Sequence, residues 1–353
     1  KPDWFDRVGE EHRAVRERAG IIDLTSFGKI EVAGPGALGV LQRVCANDVD
    51  RPVGAAVYGQ FLDEPGGMLA DVTITRLDED RFRVLTGAGY IAADLGWIRA
   101  TVRAEEGRVA VRDVTDDWTV IGLWGPRARD ILWQTTSDDV SDAGIPIRTA
   151  REIHLRSGAP ALATRISYAG ELGWEFTVSP EWAVSAWDAL VAAARDLGVG
   201  LEPVGYRALD SLRLEKGFRY YGAELTTQDS PIEAGMGPFV RLGKGDFIGR
   251  KALLAARDTS PGGPSRRLRT VTVGGDDWLP IFGGEAVRMN GEVVGRLRSA
   301  AFGYTVRRTV GTVYLPASVA EDTPIEVDVF DRREPGVVSA DVLHDPTGAR
   351  MRG

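Results

Sequence analysis

A glycine-, proline- and serine-rich stretch over residues 257–266, which includes the run SPGGPS, divides this sequence of 353 residues into two unlike parts. Such a composition favours an irregular connection over a helix or a strand. After it, almost every segment alternates apolar and polar residues as strands do, in RLRTVTVGG, GEAVRMNGEVVGRL, TVGTVYLP and PIEVDVFD. We therefore predict a separate, small, all-β domain over residues 265–353.

The longer part before this break repeats a unit of strand, tight turn and amphipathic helix. The unit occurs in KIEVAGPGALGVLQRV, TVIGLWGPRARDILWQT and WEFTVSPEWAVSAWDALVAAA. Pro35, Pro126 and Pro180 each fall near the expected first helical turn, where a missing N–H group costs little. Strand patterns such as MLADVTITRL flank these units. We therefore predict α+β sheets covered by helices on one face, a packing similar to the ferredoxin-like arrangement.

Residues 87–92, GAGYIA, formally match the glycine fingerprint of dinucleotide-binding folds. A polar turn follows the unit, however, where that fold requires a second parallel strand. Glycines at a junction between strand and helix are more often turn residues. We predict a turn here and no dinucleotide site.

The balance of charged and apolar residues excludes several classes of protein. A net charge of −8 and a pI near 5.2 argue against a non-specific nucleic-acid binder, which needs concentrated Lys and Arg. No apolar stretch of the sequence approaches a membrane span, and the N-terminal KPDWFDRVGEEHR lacks the apolar core of a signal peptide. We expect a cytoplasmic enzyme with a small-molecule ligand and with neither nucleic acid nor membrane as a partner.

Cysteine and histidine give no sign of thiol or metal chemistry. The single cysteine, Cys45, lies in the apolar helical pattern LGVLQRVCA, where packing is its expected role. His12, His154 and His344 are scattered and lack neighbours at the spacing of metal ligands. We expect no metal site.

The segment YGQFLDEPGGMLADVTITRL places a carboxylate, Asp71, at the start of an otherwise apolar and β-branched strand. Tyr58 precedes the Pro-Gly-Gly hairpin signal that leads into this strand. Asp71 could equally be an acid that caps a turn at the end of the strand or an acid that takes part in function. The choice between them depends on what lies beside it.

A second polar cluster occurs in RISYAGELGWEFTV, where Tyr168, Glu171, Trp174 and Glu175 surround a glycine-containing loop that leads into a strand. Carboxylates beside aromatic rings suit a flat heterocycle that carries amino groups. A carboxylate can accept two parallel N–H bonds from the edge of such a ring while side-chain rings pack on its faces. A solvated acidic loop with Trp174 in the core is the alternative interpretation.

The pattern EPVGYRALDSLRLEKGF predicts a helix over residues 204–216 that ends at Gly217 in the left-handed conformation. Arg207, Ser211 and Glu215 fall on one stripe of this helix, because they are four residues apart. Taken alone, the stripe is best interpreted as solvent-facing. Arg207 could alternatively bind a carboxylated ligand.

Together these segments resemble the glycine cleavage T-protein superfamily along nearly the whole chain, and most closely the folate domain that ends dimethylglycine oxidase and sarcosine dehydrogenase. The resemblance is carried by EEHRAVRERAGIIDLTSFGKIEV, LQRVCANDV, GGMLADVTITRL, IGLWGPRARDIL, SYAGELGWEF, GYRALDSLRLEKGFRYYG, SPIEAGMG and GRLRSAAFGYTV. It implies a three-domain cloverleaf with ferredoxin-like α+β lobes, a C-terminal β-barrel and a central channel that holds tetrahydrofolate.

The resemblance also implies that the first two lobes are discontinuous in sequence. We expect a first, folate-binding lobe from residues 1–50 and 141–230, a second α+β lobe from residues 51–140 and 231–260, and the barrel from residues 265–353. The position of the irregular break agrees with the expected start of the barrel.

The family pattern assigns roles to individual residues. Asp71 matches the catalytic acid beside the reactive N5/N10 edge of folate, and Glu175 matches the carboxylate that binds the aminopteridine. The other positions that match the lining of the folate pocket are Asn47, Tyr58, Tyr168, Glu171 and Arg207.

The activity that the resemblance implies is a tetrahydrofolate-dependent aminomethyl or methylene transfer that forms 5,10-methylenetetrahydrofolate from a donor derived from a methylated amine. One alternative is a demethylase that takes a methyl group from a methylated amine, ether or sulfonium substrate and forms 5-methyltetrahydrofolate. Another is a non-catalytic folate-binding subunit of a flavin amine oxidase. Because the sequence starts at the folate domain, we expect a separate flavin amine dehydrogenase, a carrier protein or the methylated substrate itself to supply the carbon.

Overall fold

The computed structural model describes residues 1–103, 108–260 and 262–353 and arranges them in two sheets with helices and one barrel. The helices are α1 (Phe5–Glu17), α2 (Ala37–Val44), α3 (Ile91–Ala100), α4 (Ala128–Thr135), α5 (Ala183–Asp196), α6 (Tyr206–Glu215), α7 (Arg250–Thr259) and α8 (Ala349–Arg352). The strands before the irregular break are β1 (Ala19–Asp23), β2 (Gly28–Ala33), β3 (Ala56–Leu62), β4 (Met68–Asp78), β5 (Arg81–Thr86), β6 (Ala110–Asp113), β7 (Thr119–Trp124), β8 (Ala150–His154), β9 (Pro160–Thr164), β10 (Gly173–Val178) and β11 (Leu201–Pro203). The strands after it are β12 (Arg266–Val273), β13 (Ala286–Met289), β14 (Glu292–Gly303), β15 (Arg308–Pro316), β16 (Pro324–Val329) and β17 (Arg332–Ser339).

The six-stranded sheet has the order β11-β1-β7-β10-β9-β8, with β1 and β11 parallel and the other neighbours antiparallel. On β10, Trp174 and Phe176 are fully buried in a core that includes residues of α4 and α5. Successive residues of a strand point to opposite faces, so Glu175 and Thr177 lie on the face away from these helices.

The five-stranded sheet has the order β3-β4-β5-β2-β6 and is antiparallel throughout. On β4, Val72 and Ile74 pack in a core with α2 and with Ile98 of α3. The alternate residues, Asp71 and Thr73 among them, lie on the opposite face. The five-stranded sheet thus carries helices on one face, as predicted. The prediction is wrong for the six-stranded sheet, because α1 and α6 pack over β1 and β7 on the face opposite α4 and α5.

The strands after the break close into a six-stranded barrel in the order β12-β15-β14-β13-β16-β17. Its interior is apolar, and Val271, Val313, Val327 and Val338 are fully buried there. The predicted α+β class with a C-terminal β-barrel is confirmed.

The chain crosses between the two sheets at places other than the expected lobe boundaries. β2 and α2 fall within residues 1–50, which we expected in the first lobe, yet β2 pairs with β5 and β6 in the five-stranded sheet. β7 and α4 fall within residues 51–140, which we expected in the second lobe, yet β7 pairs with β1 and β10 in the six-stranded sheet. Strand pairing therefore places the crossings between β1 and β2 and between β6 and β7.

Residues 87–92 lead from β5 into α3 through one turn of 3₁₀ helix. β5 pairs antiparallel with both β2 and β4, whereas a dinucleotide fold places this turn in a parallel sheet. The prediction that these glycines form a turn is confirmed.

The helix predicted over residues 204–216 is α6, and Gly217 after it is left-handed with φ of 72°. Ser211 and Glu215 are buried, because α6 packs against α1 and β14. The solvent-facing interpretation of this stripe is therefore wrong for both residues. It holds for Arg207, which is exposed.

Candidate active site

The face of the five-stranded sheet opposite α2 and α3 meets the face of the six-stranded sheet opposite α4 and α5 across a narrow cleft. The walls are Thr73, Thr75, Arg83 and Leu85 from β4 and β5, and Leu162, Thr164, Ile166, Glu175 and Thr177 from β9, β10 and the loop between them. The walls lie close together, and the cavity between them has a volume of about 10 Å³, room for about one water molecule. One carboxyl and one guanidinium group therefore face a cavity that is otherwise lined by hydroxyl and aliphatic groups.

Glu175 provides the carboxyl group of the six-stranded wall. Its side chain makes no hydrogen bond or ion pair with the residues that the structure describes, and burial raises its pKa to about 7. Glu175 is half-buried, and a partly desolvated carboxyl group without a partner is stabilised when a bound molecule donates hydrogen bonds to it. Both oxygens of Glu175 are thus available to accept N–H bonds from a ligand.

The unpaired Glu175 predicts a specific dependence of stability on pH. Its pKa in the folded chain lies above the ordinary value of 4.5. Between about pH 4.5 and 7 the folded chain therefore holds a proton that the unfolded chain releases, so the free energy of unfolding falls as the pH rises through this window. Glu175→Gln removes the charge and keeps the shape, so we expect its melting temperature to exceed that of the wild type clearly at pH 8 and only slightly at pH 5.

Calorimetric melting at the two pH values measures this difference. Glu152→Gln is the matched control, because Glu152 lies on β8 of the same sheet but is exposed, and we expect it to melt like the wild type at both pH values. Equal melting temperatures of Glu175→Gln and the wild type at pH 8 would contradict a buried, unpaired Glu175.

Asp71 continues the β4 wall of the cleft beyond Thr73. Its Oδ2 accepts a hydrogen bond of 3.1 Å from Tyr58 Oη. Burial raises the pKa of Asp71 to about 6, and the hydrogen bond from Tyr58 limits the rise. A carboxyl group with a pKa just below neutrality is ionised at pH 7 and still basic enough to accept a proton from a ligand.

Tyr58 is held in place by its neighbours. Its ring packs edge-on against Phe239 with ring centroids 5.0 Å apart, and its carbonyl accepts a hydrogen bond of 2.8 Å from Asn47 Nδ2. Burial raises the pKa of Tyr58 well above its ordinary value, so its hydroxyl stays protonated and donates to Asp71. Asn47 therefore acts on the site through the backbone of Tyr58.

Tyr168 lies near the same pair from the side of the six-stranded sheet. Its ring stacks on that of Phe218, with centroids 6.0 Å apart and 15° between the planes, and its Oη donates to the carbonyl of Arg219 at 2.7 Å. Burial raises the pKa of Tyr168, and the charge of Asp71 adds to the rise. The structure thus brings Asn47, Tyr58, Asp71 and Tyr168 close together, and Asp71 lies two residues before Thr73 of the cleft on β4.

Gln60 is a site residue that sequence reasoning missed. It lies directly opposite Asp71 in the pairing of β3 with β4, and it is fully buried. Its amide lies close enough to Tyr58 to lower the pKa of that hydroxyl, yet neither Nε2 nor Oε1 reaches hydrogen-bonding geometry with any described residue. The available signal was the alternation of β3, which places Gln60 on the face of Tyr58.

Glu171 is not brought to the cleft. Its buried carboxylate lies 2.9 Å from Arg16 Nη1, 2.9 Å from His344 Nε2 and 2.7 Å from Arg350 Nε. These partners belong to α1 and the C-terminal segment, so the loop before β10 turns Glu171 away from Glu175. The structure gives Glu171 a role in joining three parts of the chain and does not support its expected place in the folate pocket.

Glu171→Gln is expected to lower the free energy of unfolding by about 3–5 kcal/mol, because it removes one partner of a buried ion-pair network. Urea unfolding at pH 7 measures the loss. Glu10→Gln is the control, since Glu10 pairs with Arg7 at 3.5 Å on the exposed surface and we expect little change there. If the two variants unfold at the same urea concentration, the structural role of Glu171 is wrong.

Arg207 also lies apart from the cleft. It is exposed at the start of α6, and its guanidinium lies over the ring of Trp4, 4.5 Å from the centroid. Together with Trp278 and Tyr304 it lines a groove between α1, α6 and the barrel. The structure therefore does not support Arg207 as a residue of the same pocket as Glu175.

The structure also locates the residues that were considered for thiol or metal chemistry. Cys45 is fully buried in the core of the five-stranded sheet, in the packing role expected for it. Across residues 1–103, 108–260 and 262–353, no group of three His, Cys, Asp or Glu side chains is placed to hold a metal ion. No helix in this described part of the chain is both long and apolar enough to cross a membrane.

The fold and the cleft define an α+β protein in which two sheets meet at a polar cleft beside an acid–tyrosine pair, ahead of a closed six-stranded barrel. Two family models match the chain. The GCVT N-terminal domain matches residues 1–244, and the glycine cleavage T-protein C-terminal barrel domain matches residues 266–345. The chain belongs to the glycine cleavage T-protein family, as the resemblance of its motifs indicated.

Its relatives include longer proteins and proteins of similar length. It is 39% identical to 4-methylaminobutanoate oxidase (formaldehyde-forming) of Paenarthrobacter nicotinovorans, over all of this chain and 42% of the oxidase. It is 33% identical to mitochondrial dimethylglycine dehydrogenase of Mus musculus, over all of this chain and 40% of the dehydrogenase. The crystal structure of glycine cleavage system aminomethyltransferase T from Bartonella henselae superposes with a TM-score of 0.81 at 27% identity, over 98% of this chain and 90% of that one. The chain thus spans about two fifths of the oxidase and the dehydrogenase. Membership of the family supports a transferase activity.

Proposed function

We propose that this chain is a tetrahydrofolate-dependent one-carbon transferase in which Asp71 is the catalytic residue and Glu175 binds the folate ring. The observation that carries the proposal is the placement of these two acids. Glu175 on β10 and Asp71 on β4 lie on the facing sides of two sheets that meet at one cleft. Burial raises the pKa of each acid toward neutrality.

The residues around the cleft fit a reduced folate. Glu175 has two free oxygens, which match the paired N–H donors on the amino edge of a pterin. Gln60 supplies an unpartnered amide beside Asp71, and Thr73 and Thr164 supply hydroxyl groups on the two walls. Buried polar groups without partners are rare in proteins unless a ligand or water binds them.

Bound tetrahydrofolate supplies the two nitrogens, N5 and N10, that accept the one-carbon unit. Asp71, as a carboxylate, accepts a proton from this edge or stabilises the positive charge that develops there. Tyr58 holds the Asp71 carboxylate through its 3.1 Å hydrogen bond, and Glu175 fixes the ring. Correct alignment of two reactants lowers a barrier by up to about 7–11 kcal/mol, so the reaction needs no nucleophile from the protein.

We propose the chemical class of the one-carbon donor from the names of two relatives. Two of them, by their names, act on 4-methylaminobutanoate and dimethylglycine, which are methylated amines, and the first is named as forming formaldehyde. We propose a donor derived from a methylated amine and 5,10-methylenetetrahydrofolate as the product. Because the chain spans only about two fifths of those relatives, we propose that a flavin amine dehydrogenase, on the same polypeptide or a separate one, delivers the carbon.

Product analysis tests this function. The purified chain is incubated with tetrahydrofolate and a methylated amine, with and without a flavin amine dehydrogenase, and the folates are separated by chromatography. We expect 5,10-methylenetetrahydrofolate to form faster with the chain than without it. Formation of 5-methyltetrahydrofolate from a methylated amine, ether or sulfonium compound would show methyl transfer instead. Tight folate binding without faster formation of either product would show a non-catalytic folate-binding subunit.

A further inference from the structure

Arg83 lies on β5 and faces the same cleft as Glu175 from the opposite wall. Its side chain is only 4% exposed. The guanidinium lies over the ring of Trp118, 4.3 Å from the centroid, and makes no hydrogen bond or ion pair with any residue that the structure describes. Burial lowers the pKa of Arg83 to about 10, so it remains a cation at neutral pH.

The acid nearest in strand register attracts this cation but makes no hydrogen bond to it. Glu31 lies opposite Arg83 in the pairing of β2 with β5, but its Oε1 accepts a hydrogen bond of 2.6 Å from Arg112 Nη2. Glu175 across the cleft makes no hydrogen bond or ion pair with the residues that the structure describes either. Within the described residues, the cleft therefore has a carboxyl group without a hydrogen-bond donor on one wall and a donor-only cation without a hydrogen-bond acceptor on the other.

We propose that Arg83 binds the ring carbonyl of the same heterocycle whose amino edge is bound by Glu175. The proposal rests on the function proposed above and specifies its ligand. A pterin carries N–H donors on one edge and a carbonyl oxygen, the 4-oxo group, on the adjoining edge. A guanidinium has donors and no acceptor, so it favours this carbonyl and disfavours an amino group at the same position.

Arg83→Met is the test variant, because it keeps much of the side-chain length and removes every donor. Arg81→Met is its matched control, since Arg81 lies two residues earlier on the same face of β5 but is exposed. Titration calorimetry gives the Kd of three ligands. Tetrahydrofolate has the carbonyl, its 4-amino-4-deoxy analogue has an amino group instead, and tetrahydropteroate has the carbonyl but lacks the glutamate tail.

The wild type is expected to bind the two carbonyl ligands more tightly than the amino analogue. Arg83→Met is expected to weaken both carbonyl ligands by about 10–100-fold, the usual effect of losing a charged hydrogen bond, and to bind the amino analogue as well as the wild type does or better. Arg81→Met is expected to match the wild type with all three ligands.

The melting temperature of the ligand-free protein distinguishes a ligand-binding role of Arg83 from a structural role, because replacing a structural residue would lower it. Arg83 makes no hydrogen bond or ion pair within the described residues, and only the Trp118 ring and the charges of nearby acids stabilise its buried cation, so its replacement by Met is expected to change the melting temperature of the ligand-free protein little. If Arg83→Met fails to fold, Arg83→Lys replaces it as the test. Lys keeps the charge without the planar fork, and we expect it to keep part of the preference for the carbonyl.

Each adverse result overturns a different statement. If the wild type binds none of the three ligands, the proposed function itself fails. If the wild type binds them and Arg83→Met shows the same three affinities, or weakens the carbonyl and amino ligands equally, the proposal for Arg83 alone fails. If Arg83→Met weakens tetrahydrofolate but not tetrahydropteroate, Arg83 binds a tail carboxylate and its assignment to the ring carbonyl is wrong.

Discussion

Asp71→Asn is expected to lower the turnover number by about 10²–10⁴-fold, the usual contribution of a positioned proton acceptor, while tetrahydrofolate binds nearly as in the wild type. Asparagine keeps the shape of the side chain and can still accept the hydrogen bond from Tyr58, but it cannot take a proton. Burial raises the pKa of Asp71 to about 6. The wild-type kcat/KM should therefore fall as the pH drops below 6 and the carboxylate is protonated, and this acidic limb should be absent from the variant.

Steady-state rates across the pH range and calorimetric Kd values for tetrahydrofolate measure the two effects separately. Asp78→Asn is the control, because Asp78 is an exposed acid at the far end of the same strand, and we expect wild-type rates from it. An Asp71→Asn enzyme with unaltered turnover would remove Asp71 from the mechanism. Loss of folate binding in that variant would make Asp71 a binding residue instead.

Glu175→Leu is expected to raise the Kd for tetrahydrofolate by at least about 100-fold, because two charge-assisted hydrogen bonds, each worth about 1.5–3 kcal/mol, are lost together. Glu175→Gln keeps one acceptor oxygen and should lose less. At saturating folate, both variants should retain more turnover than Asp71→Asn, since Glu175 holds the ring without taking part in the transfer. The exposed Glu152→Leu is the control for calorimetry, and wild-type affinity in Glu175→Leu would show that the ring binds elsewhere.

Stability and binding are expected to change in opposite directions at Glu175. The variant Glu175→Gln is expected to fold more stably than the wild type above pH 7 and to bind folate less well. A residue placed for packing would lose stability when it is replaced. The combination of a more stable protein and a weaker complex is typical of a group that is kept for its ligand.

The fold could be predicted from the sequence wherever the signal is local. Alternation within single segments indicated the barrel strands, and strand–turn–helix units indicated sheets covered by helices, although they did not show that α1 and α6 cover the second face of the six-stranded sheet. The division of the chain between the two sheets could not be obtained in this way. Whether β2 pairs with β5 or β1 pairs with β7 depends on contacts between distant segments, which no short pattern contains.

The candidate site could likewise be predicted only where its residues lie close together in the sequence. Asp71 and Tyr58 lie in one hairpin, so a local pattern brings them together. Glu171 and Glu175 share one segment, and only the path of the loop decides that the first faces Arg16 while the second faces the cleft. Arg83 is an ordinary strand arginine by sequence, and its burial opposite Glu175 follows from the packing of two sheets.

A crystal structure of Asp71→Asn with bound tetrahydrofolate tests the central claim most directly, because a variant that binds without turnover keeps the ligand intact. We expect the pterin ring between β4 and β10, with its amino edge on Glu175 and its N5/N10 edge beside residue 71. Density for the ring in the groove of Trp4 and Arg207, or no bound folate at all, would contradict the account.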